Sequence, residues 1–507
     1  MRSKKVLYNV STNLLLQIVT IVYGFVLPKI IIDNFGSNVN GLISSITQFL
    51  TYIVLLESGF GPVVKSLLYK PIAKNDKETI SKILKSTESF FRKIALIFIV
   101  YIVVLCLFYP YLVKKDFNSL FSISLIIIIA ISTLAEYFFG MTYKLFLQAS
   151  QKTYIISFIQ IITYIISVIS IILLTRINAS IHIIKLISGL IFVLRPLLQN
   201  YYVKKKYNII LDNSVEKYNI KQKWDGLAQH IAGVIHANTD VTILTIFCPL
   251  TEVSVYSVYS LVVKGIKSLV QSFNSGIDAS FGDMIANNEL ENLNNKFSIY
   301  EVFYFIITTI VFSCSIVLIT PFITVYTFGV NDANYVRYLF GYLLVISEYV
   351  AMIRLPYVSL TYCAGHFKET RTGAWIECMV NIFISIILVW KFGIIGVTIG
   401  TIVAMTLRTF EFVYHSNKYI LKRNIYVSLR KILLVLINTI MIISISKFIP
   451  YLNFTSYINW IINAIVISFI SLIIVSITNI IFYKQELMYL INKLLSKIKM
   501  INRRFSW

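Results

Sequence analysis

Charged side chains inside long apolar stretches are the residues of this chain best placed to do chemistry. A charge within a membrane span costs free energy unless it is paired or faces water, so such residues mark functional sites by default. The cations in this setting are Lys29, Lys65, Lys264, Arg354 and Arg408. The acids are Glu57, Asp240 and Glu348. The cations could bind an anionic group, because arginine holds phosphate oxygens in bidentate fashion. The acids could pair with those cations or take up a coupling proton or sodium ion.

Each of these charges also has a structural interpretation, as half of an ion pair that locks two helices together. Arg408 and Glu411 are three residues apart and can pair along one helix. Glu348 and Arg354 are six residues apart, which is a poor spacing for such a pair. Lys65 falls near the end of its apolar stretch, from which a lysine can reach the lipid headgroups. The sequence leaves both interpretations open.

The elements that must carry these charges are membrane-spanning helices. The chain has 507 residues, of which 57% are hydrophobic and only 14% are charged. The apolar residues come in blocks of about 20–30, and a spanning helix needs about 20. Lipid offers the backbone no hydrogen bonds, so blocks of this length must be helical. The predicted fold class is therefore an all-α integral membrane protein.

The apolar blocks predict about fourteen transmembrane helices. They cover residues 7–32, 41–68, 94–112, 120–147, 154–174, 181–202, 224–247, 253–286, 300–328, 335–364, 373–390, 394–414, 427–448 and 457–483. The predicted organisation is two pseudo-symmetric six-helix bundles followed by a helix pair. The segments are a first bundle over 1–203, a cytoplasmic linker over 204–223, a second bundle over 224–417, helices 13 and 14 over 418–483, and a basic amphipathic cytoplasmic tail over 484–507.

Lysine and arginine are distributed unevenly between alternate loops. They gather before the first span, after the second, in the linker, between residues 418 and 431, and in the tail, whereas the loops of opposite parity carry few of them. Because cytoplasmic loops carry an excess of basic residues, both termini are predicted to be cytoplasmic. Every outer loop is short, which leaves no room for an extracellular domain.

Glycine and proline are predicted to interrupt several spans. In the first two spans these residues are Gly24, Pro28, Gly59, Gly61 and Pro62, and in later spans they include Gly276, Pro321 and Pro356. Interrupted helices in transporters often bend or line the binding site, so the first five residues are candidate hinges. Ordinary kinks without a function are the alternative.

Two segments of the chain resemble each other at an offset of roughly 215 residues, which is typical of a transporter built from two repeats. The first, residues 35–50, reads FGSNVNGLISSITQFL, and the second, residues 247–262, reads FCPLTEVSVYSVYSLV. Each has an aromatic residue, a short turn, a valine and then a long helix with small residues part-way along it. Units of six spans would run in the same direction through the membrane, with a substrate site between the two halves.

Several other functions are disfavoured. The net charge is +23, and the basic residues cluster in the segments between the apolar blocks. This distribution is typical of residues that set membrane topology and attract anionic lipid, so no nucleic-acid partner is expected. The five cysteines form no CxxC pair and the histidines have no metal spacing, so neither disulfides nor a metal site are predicted. The sequence lacks a Walker A motif, so ATP hydrolysis is not expected. No cofactor and no enzymatic activity are predicted.

Residues 28–84 resemble the start of the Wzx-type flippases, the polysaccharide transporters of the multidrug/oligosaccharidyl-lipid/polysaccharide exporter superfamily. The matching features are an FG pair at the end of span 1, a glycine that opens span 2, an SGFG break within span 2, and a basic cytoplasmic helix after it. The sequence HANTDVTILTIF at residues 236–247 is similar to the family's seventh span. The motifs cover about eighty residues, whereas the number of spans and the basic central linker match over the whole chain.

The resemblance implies a V-shaped pair of bundles around a central cavity in the bacterial cytoplasmic membrane. The implied substrate is an oligosaccharide on a polyprenyl pyrophosphate, moved from the inner to the outer leaflet by alternating access for O-antigen or capsule assembly. On this interpretation Arg354 and Lys264, followed by Lys29, Lys65 and Arg408, bind the pyrophosphate. Membrane lipid, a coupling proton or sodium ion, and other polysaccharide assembly proteins are the expected partners.

Two other functions remain open. A cation-coupled multidrug exporter of the same superfamily is one, although its cavity should favour acidic and aromatic residues over cations. A membrane glycan polymerase or acyltransferase is the other, although the chain lacks a large outer loop and paired catalytic residues.

Overall fold

A computed structural model describes residues 2–57, 59–207, 218, 227–274, 277–450, 452–454, 456–489 and 492. Within these ranges the chain forms eighteen α-helices, two short π-helical segments and no β-strand, so the predicted all-α fold class is confirmed. The first nine are α1 (Arg2–Phe35), α2 (Ser37–Thr51), α3 (Val54–Glu57), α4 (Phe60–Lys74), α5 (Lys77–Val113), α6 (Ser119–Ala135), α7 (Met141–Ala149), α8 (Thr153–Arg176) and α9 (Ile181–Tyr207). The others are α10 (Leu227–Phe247), α11 (Leu250–Ser272), α12 (Asp278–Ala286), α13 (Leu290–Tyr326), α14 (Tyr338–Cys363), α15 (Arg371–Phe392), α16 (Ile394–His415), α17 (Tyr426–Ser446) and α18 (Tyr457–Phe482). The π-helical segments are Glu136–Gly140 and Ser416–Ile420.

Over the described residues, thirteen helical segments are long and apolar enough to cross a membrane, as expected of a multi-pass membrane protein. The predicted span outside this set is the seventh, which the structure describes as the helix α10. Polar side chains, among them Asn238, Thr239 and Asp240, lower the mean hydropathy of α10. Residues 219–226, which precede it, lie outside the described ranges.

The chain divides into two compact units. Unit 1 comprises Met1–Ser257 and Val330–Ala333, and unit 2 comprises Val258–Gly329 and Asn334–Trp507. The dividing point between the units lies within α11. The predicted bundle boundaries after residues 203 and 417 remain predictions. Helix α9 continues to Tyr207, and most of the predicted linker and tail lies outside the described residues.

In unit 1, α8 packs against both α1 and α9, and α9 packs against α6. Helix α5 contacts α4 and α6, while α10 lies against α2 and α3. The start of α2 is fixed by Asp332, whose carboxylate accepts hydrogen bonds from the backbone N–H and the hydroxyl of Ser37 at 2.6 and 2.7 Å. A carboxylate at this position satisfies a free N–H group and complements the helix dipole.

In unit 2, α15 and α16 pack against each other, and they are separated in sequence only by Gly393. Helix α16 also packs against α14, and α13 contacts α14, α17 and α18. The apolar faces of α13 and α18 meet at Cys314, Leu318 and Ile467. Because α16 contacts both α14 and α15, these three helices form one packed group, and this group carries several of the predicted charges.

The long second span is broken at the predicted position. Helix α3 ends at Glu57 and α4 begins at Phe60, with Gly59 at φ +78°, a conformation that residues other than glycine rarely adopt. The eighth span is broken as well, because α11 ends at Ser272 and α12 begins at Asp278. Gly276 lies outside the described residues. The two breaks are followed by α4 and α12, of 15 and 9 residues, and then by α5 and α13, which each have 37 residues. The internal repeat stays a prediction.

Other predicted interruptions are wrong. Helix α1 is continuous through Gly24 and Pro28, and α13 and α14 continue through Pro321 and Pro356. A proline inside a helix removes one backbone hydrogen bond, and neighbouring helices in a membrane can compensate for that loss without ending the helix. Gly61 and Pro62 lie in the first turn of α4, where proline is tolerated. A hinge function for these residues stays a prediction.

Candidate functional site

Two of the predicted cations in unit 2 meet on one carboxylate. The guanidinium Nη1 of Arg354 lies 2.7 Å from Oε1 of Glu377, and Nε of Arg408 lies 3.6 Å from Oε2 of the same side chain. Arg408 also places Nη1 2.5 Å from Oε2 of Glu411 and donates to the carbonyl of Thr370 at 2.8 Å. Arg354, Glu377, Arg408 and Glu411 are called the arginine cluster below.

Three helices position the arginine cluster. Arg354 is on α14, Glu377 on α15, and Arg408 and Glu411 on α16. Helix α15 packs closely on α16 at the cluster: a β-carbon on Gly373 of α15 would lie 1.7 Å from Oε2 of Glu411 on α16. This close approach brings Glu377 of α15 next to Arg408 of α16.

The environment of the arginine cluster strengthens its ion pairs. Arg408 is only 4% exposed, and its guanidinium lies 4.3 Å from the centre of the Phe412 ring. The side chains of Arg354 and Glu377 are 16% and 12% exposed. Charges that are this well removed from water interact more strongly than surface charges, and leaving one of them unpaired is costly. With two arginines and two glutamates, the cluster is neutral overall.

A second ion pair in unit 2 involves Glu348. Its Oε2 lies 2.7 Å from Nζ of Lys267, a residue that was not among the predicted site residues. Glu348 therefore has a cationic partner on α11 that is not one of the predicted headgroup-binding cations. Lys264, one helical turn before Lys267, is exposed. The structure thus brings Arg354 and Arg408 together within unit 2 and places Glu348 on Lys267.

In unit 1, Glu57 lies at the break between α3 and α4. Tyr137 and Lys144 are its polar neighbours, and Lys144 places Nζ 2.7 Å from Oε1 of Glu136. Glu136 and Tyr137 belong to the π-helical segment between α6 and α7. Segments of π-helix inside α-helices are frequent at functional sites. The break and the π-helical segment therefore place two acids, a tyrosine and a lysine close together.

The remaining predicted residues of unit 1 lie on α10, α1 and α4. Asp240 on α10 is buried, and its Oδ2 accepts a hydrogen bond from the Tyr256 hydroxyl at 2.7 Å. Lys29 on α1 pairs with Asp33 at 2.8 Å, one helical turn later. Lys65 is half-buried on α4.

Sequence reasoning missed Arg195, which lies midway along α9 in unit 1. Its Nε donates to the Thr163 hydroxyl at 2.7 Å, and its guanidinium lies 4.4 and 4.0 Å from the ring centres of Tyr164 and Phe192. Among the residues that the structure describes, no carboxylate pairs with Arg195. An arginine in the middle of an apolar span is the signal that selected Arg354, and the same signal identifies Arg195.

Sequence reasoning also missed a buried ionic network around Glu301 on α13. This acid is fully buried and lies 3.0 Å from Arg423 and 2.7 Å from Lys431, with further hydrogen bonds from Ser428 and Tyr357. In the sequence Glu301 falls at the start of a span, Arg423 falls in a basic loop, and Lys431 falls near the start of the predicted span 427–448. No sequence signal linked them, because only tertiary packing brings α13 against α17.

The fold is shared with transporters of known structure, although no protein-family profile and no curated protein matches the sequence. The lipid II flippase MurJ in an inward closed conformation aligns with a TM-score of 0.66 and 17% identity, over 94% of this chain and 99% of that chain. An inward-facing multidrug resistance MATE family transporter of the MOP superfamily aligns with a TM-score of 0.59 and 12% identity, over 79% of this chain and 95% of that chain. A MATE in the bent conformation aligns with a TM-score of 0.51 and 12% identity, over 81% and 94% of the two chains. At these identities the likeness establishes the fold, which this chain has in common with lipid and drug transporters.

Proposed function

We propose that this protein is a transporter that moves polyprenyl-pyrophosphate-linked oligosaccharides from the inner to the outer leaflet of the bacterial cytoplasmic membrane. It would work by alternating access and supply repeat units for a cell-surface polysaccharide such as O-antigen or capsule. Both termini would lie in the cytoplasm, on the side of the basic loops. The proposal joins the Wzx-type resemblance of residues 28–84 to the fold described above.

The observation that carries the proposal is the extent of the likeness in fold. A lipid II flippase aligns over 94% of this chain, whereas a multidrug transporter aligns over 79% of it. The lipid flippase therefore aligns with nearly the whole chain, whereas the drug transporter leaves a larger part of it without an aligned counterpart. This difference favours a lipid-linked substrate over a small cationic drug.

The charges of the described residues fit an anionic headgroup. A pyrophosphate carries several negative charges, and arginine binds its oxygens in bidentate fashion. Arg354 and Arg408 hold glutamates in this structure, so the pyrophosphate would replace one anionic partner by another and leave no arginine bare. We assign Arg354 and Lys264 the main contacts, with Lys29, Lys65 and Arg408 as further candidates.

The acids have a second role in this proposal. Glu57, Asp240 and Glu348 would balance cations while the site is empty, or take up the proton or sodium ion that drives the cycle. Other polysaccharide assembly proteins would receive the product at the outer leaflet.

One specific observation favours a second candidate, a cation-coupled multidrug exporter. Two MATE structures share the fold, and the group of Glu57, Glu136, Tyr137 and Lys144 has two acids and an aromatic ring against one cation, so its net charge would suit a cationic drug. The glycan polymerase alternative has less support, because the proteins with which the fold is shared are transporters.

The test is the leaflet distribution of lipid-linked oligosaccharide in cells that lack the gene. We expect the complete repeat unit to accumulate on the cytoplasmic face and to be cleared when the wild-type gene is restored. Arg354→Ala should fail to clear it at a normal expression level. Arg176→Ala is the matched control, because Arg176 is an exposed arginine at the end of α8.

Each other outcome has a definite meaning. If Arg354→Ala clears the lipid as well as the wild type does, the flippase function stands and the assigned residue is wrong. Repeat units that reach the outer face without the protein and stay unpolymerised would favour the polymerase. Normal glycan transport together with loss of resistance to cationic drugs would favour the exporter.

A further inference from the structure

Unit 1 contains an apolar groove whose lining residues include none of the charged side chains described above. It encloses about 660 Å³, within the range of roughly 300–1,000 Å³ that is usual for ligand sites. Its lining residues come from α1, α8 and α9, with Tyr8 and Thr12 from α1 and Leu198, Tyr201 and Tyr202 from α9. The groove is called the α8 groove below.

Helical spacing explains how this groove forms. Tyr154, Ile155, Phe158, Ile159 and Ile162 recur on one face of α8. Because α8 packs against both α1 and α9, that face is the floor of the groove, and the other two helices supply its walls. At about 1.5 Å per residue the floor is roughly 12 Å long, which is enough for several methylene groups of a lipid chain.

Polar contacts hold the α1 wall in place. Asn9 donates to the carbonyl of Gln151 at 3.0 Å and accepts from the backbone N–H of Tyr154 at 2.9 Å. Ser157 donates to Asn13 at 2.6 Å. These hydrogen bonds join α1 to the start of α8, so they fix the distance between these two sides of the groove.

One end of the groove is basic. Lys205 and Lys206 are exposed and lie in the last turn of α9. Nζ of Lys205 donates to the hydroxyl of Tyr201 at 3.2 Å, and Nζ of Lys206 lies 5.5 Å from the ring centre of Tyr202. Both tyrosines line the groove, so the two ammonium groups lie beside its lining.

We propose that the α8 groove binds an anionic phospholipid of the leaflet on the lysine-rich side. The acyl chain would lie along the isoleucines and Phe158 of α8, and the phosphate would contact Lys205 and Lys206. Charge complementarity selects this occupant, since lysines near an anionic lipid surface are attracted to its headgroups. Tyrosines at the boundary between chain and headgroup are typical of a membrane interface. This inference does not depend on the transported substrate.

The test uses the purified full-length protein in detergent and native mass spectrometry. Phosphatidylglycerol and phosphatidylcholine with identical chains would be added at equal concentration. We expect the wild type to retain phosphatidylglycerol preferentially. A Lys205→Ala/Lys206→Ala variant should bind it at least about tenfold more weakly, because two lysine contacts are lost. Lys114→Ala/Lys115→Ala is the matched control, as those exposed lysines lie at the far end of α5.

A second pair of variants tests the groove itself. Ile162→Trp should fill it and reduce retention, while Ile169→Trp, on the same helix outside the groove, should not. If Ile162→Trp fails to fold, Leu198→Trp on α9 replaces it. Equal retention of the two lipids by the wild type would mean ordinary boundary lipid and overturn the proposal. Preferential retention of a polyprenyl phosphate over phosphatidylglycerol would also overturn it, since the groove would then be part of the substrate path.

Discussion

The guanidinium of Arg354 lies 2.7 Å from the carboxylate of Glu377, which brings a predicted substrate-binding cation onto an acid that the sequence did not single out. Glu377 also faces Arg408. Replacing Glu377 with Gln should leave both arginines short of negative charge, and breaking a buried ion pair costs about 3–5 kcal/mol. Unfolding of the purified protein should therefore begin several degrees lower.

The control for this change is Glu369→Gln, an exposed acid in the loop before α15. Equal unfolding temperatures for the two variants would contradict the structural importance of the shared carboxylate.

Gly373 gives a steric test of the same cluster. A β-carbon there would lie 2.2 Å from Nη1 of Arg408 and closer still to Glu411, so Gly373→Ala must displace both side chains. Overpacking of this kind costs about 1–3 kcal/mol. Gly265→Ala is the matched control, because nothing lies within 4 Å of its added methyl group. A thermal unfolding experiment should separate the two variants, and similar melting curves would argue against the packing described.

The network around Glu301 predicts a larger effect on stability than on transport specificity. Glu301→Gln removes the one acid between Arg423 and Lys431 among the described residues, and we expect a loss of about 3–5 kcal/mol. Glu291→Gln, an exposed acid on the same helix, should be close to neutral. Denaturant titration of both variants measures their free energies of unfolding. Equal values for the two variants would mean that the network does not stabilise the protein.

Arg195 predicts the opposite pattern. Arg195→Gln removes a charge that no described carboxylate balances, so stability should change little. Clearance of lipid-linked oligosaccharide should fall at least about tenfold, because an arginine in the middle of a span marks a functional site and would bind an anionic substrate. Thr163→Val removes only the hydrogen-bond partner of Arg195 and should keep most of the activity. Full clearance by Arg195→Gln would limit Arg195 to its contacts with Tyr164 and Phe192.

The start of α5 predicts a dependence on pH. Asp76 caps this helix, accepting hydrogen bonds from the Thr79 hydroxyl at 2.6 Å and the Thr79 backbone N–H at 3.0 Å, and these bonds lower the pKa of its carboxyl group. A lowered pKa means that the cap stabilises the helix above the ordinary pKa of aspartate and is lost as the pH falls through the lowered value.

Hydrogen exchange of the first amides of α5 measures this effect. Asp76→Asn, which keeps a capping oxygen but no charge, should show weaker protection than the wild type at neutral pH. The two proteins should converge in acid, after correction for intrinsic exchange rates. A constant difference at every pH would mean that the charge of Asp76 does not act on the helix.

Periodicity and composition predicted the helices well because a membrane imposes its requirements locally. Twenty apolar residues must form a helix whatever their neighbours are, and Gly59 marks a helix break through its own backbone conformation. Pro28 was misjudged because a proline weakens a helix without necessarily ending it. The seventh span was recognised as a helix although its polar residues lower its hydropathy.

Ion pairs could be predicted only where both partners lie on one helix. Arg408 with Glu411 was anticipated from a spacing of three residues, and that pair is present. Arg354 with Glu377 and Lys267 with Glu348 join different helices, so their partners depend on tertiary packing that no spacing encodes. Arg195 is different, since its signal was present in the sequence and was overlooked.

The π-helical segment at Glu136–Gly140 has a consequence for the whole crossing that contains it. An α-helix turns about 100° per residue, and a π-helical turn accommodates one extra residue. The side chains of α7 are therefore rotated by that angle relative to the phase that α6 would have continued. Deleting one residue from the segment would restore a regular screw and carry Lys144 away from Glu57 and Glu136. The helices α6 and α7 of this crossing therefore present their side chains in directions that differ by about one residue's rotation. The contacts of Lys144 with Glu57 and Glu136 depend on that rotation.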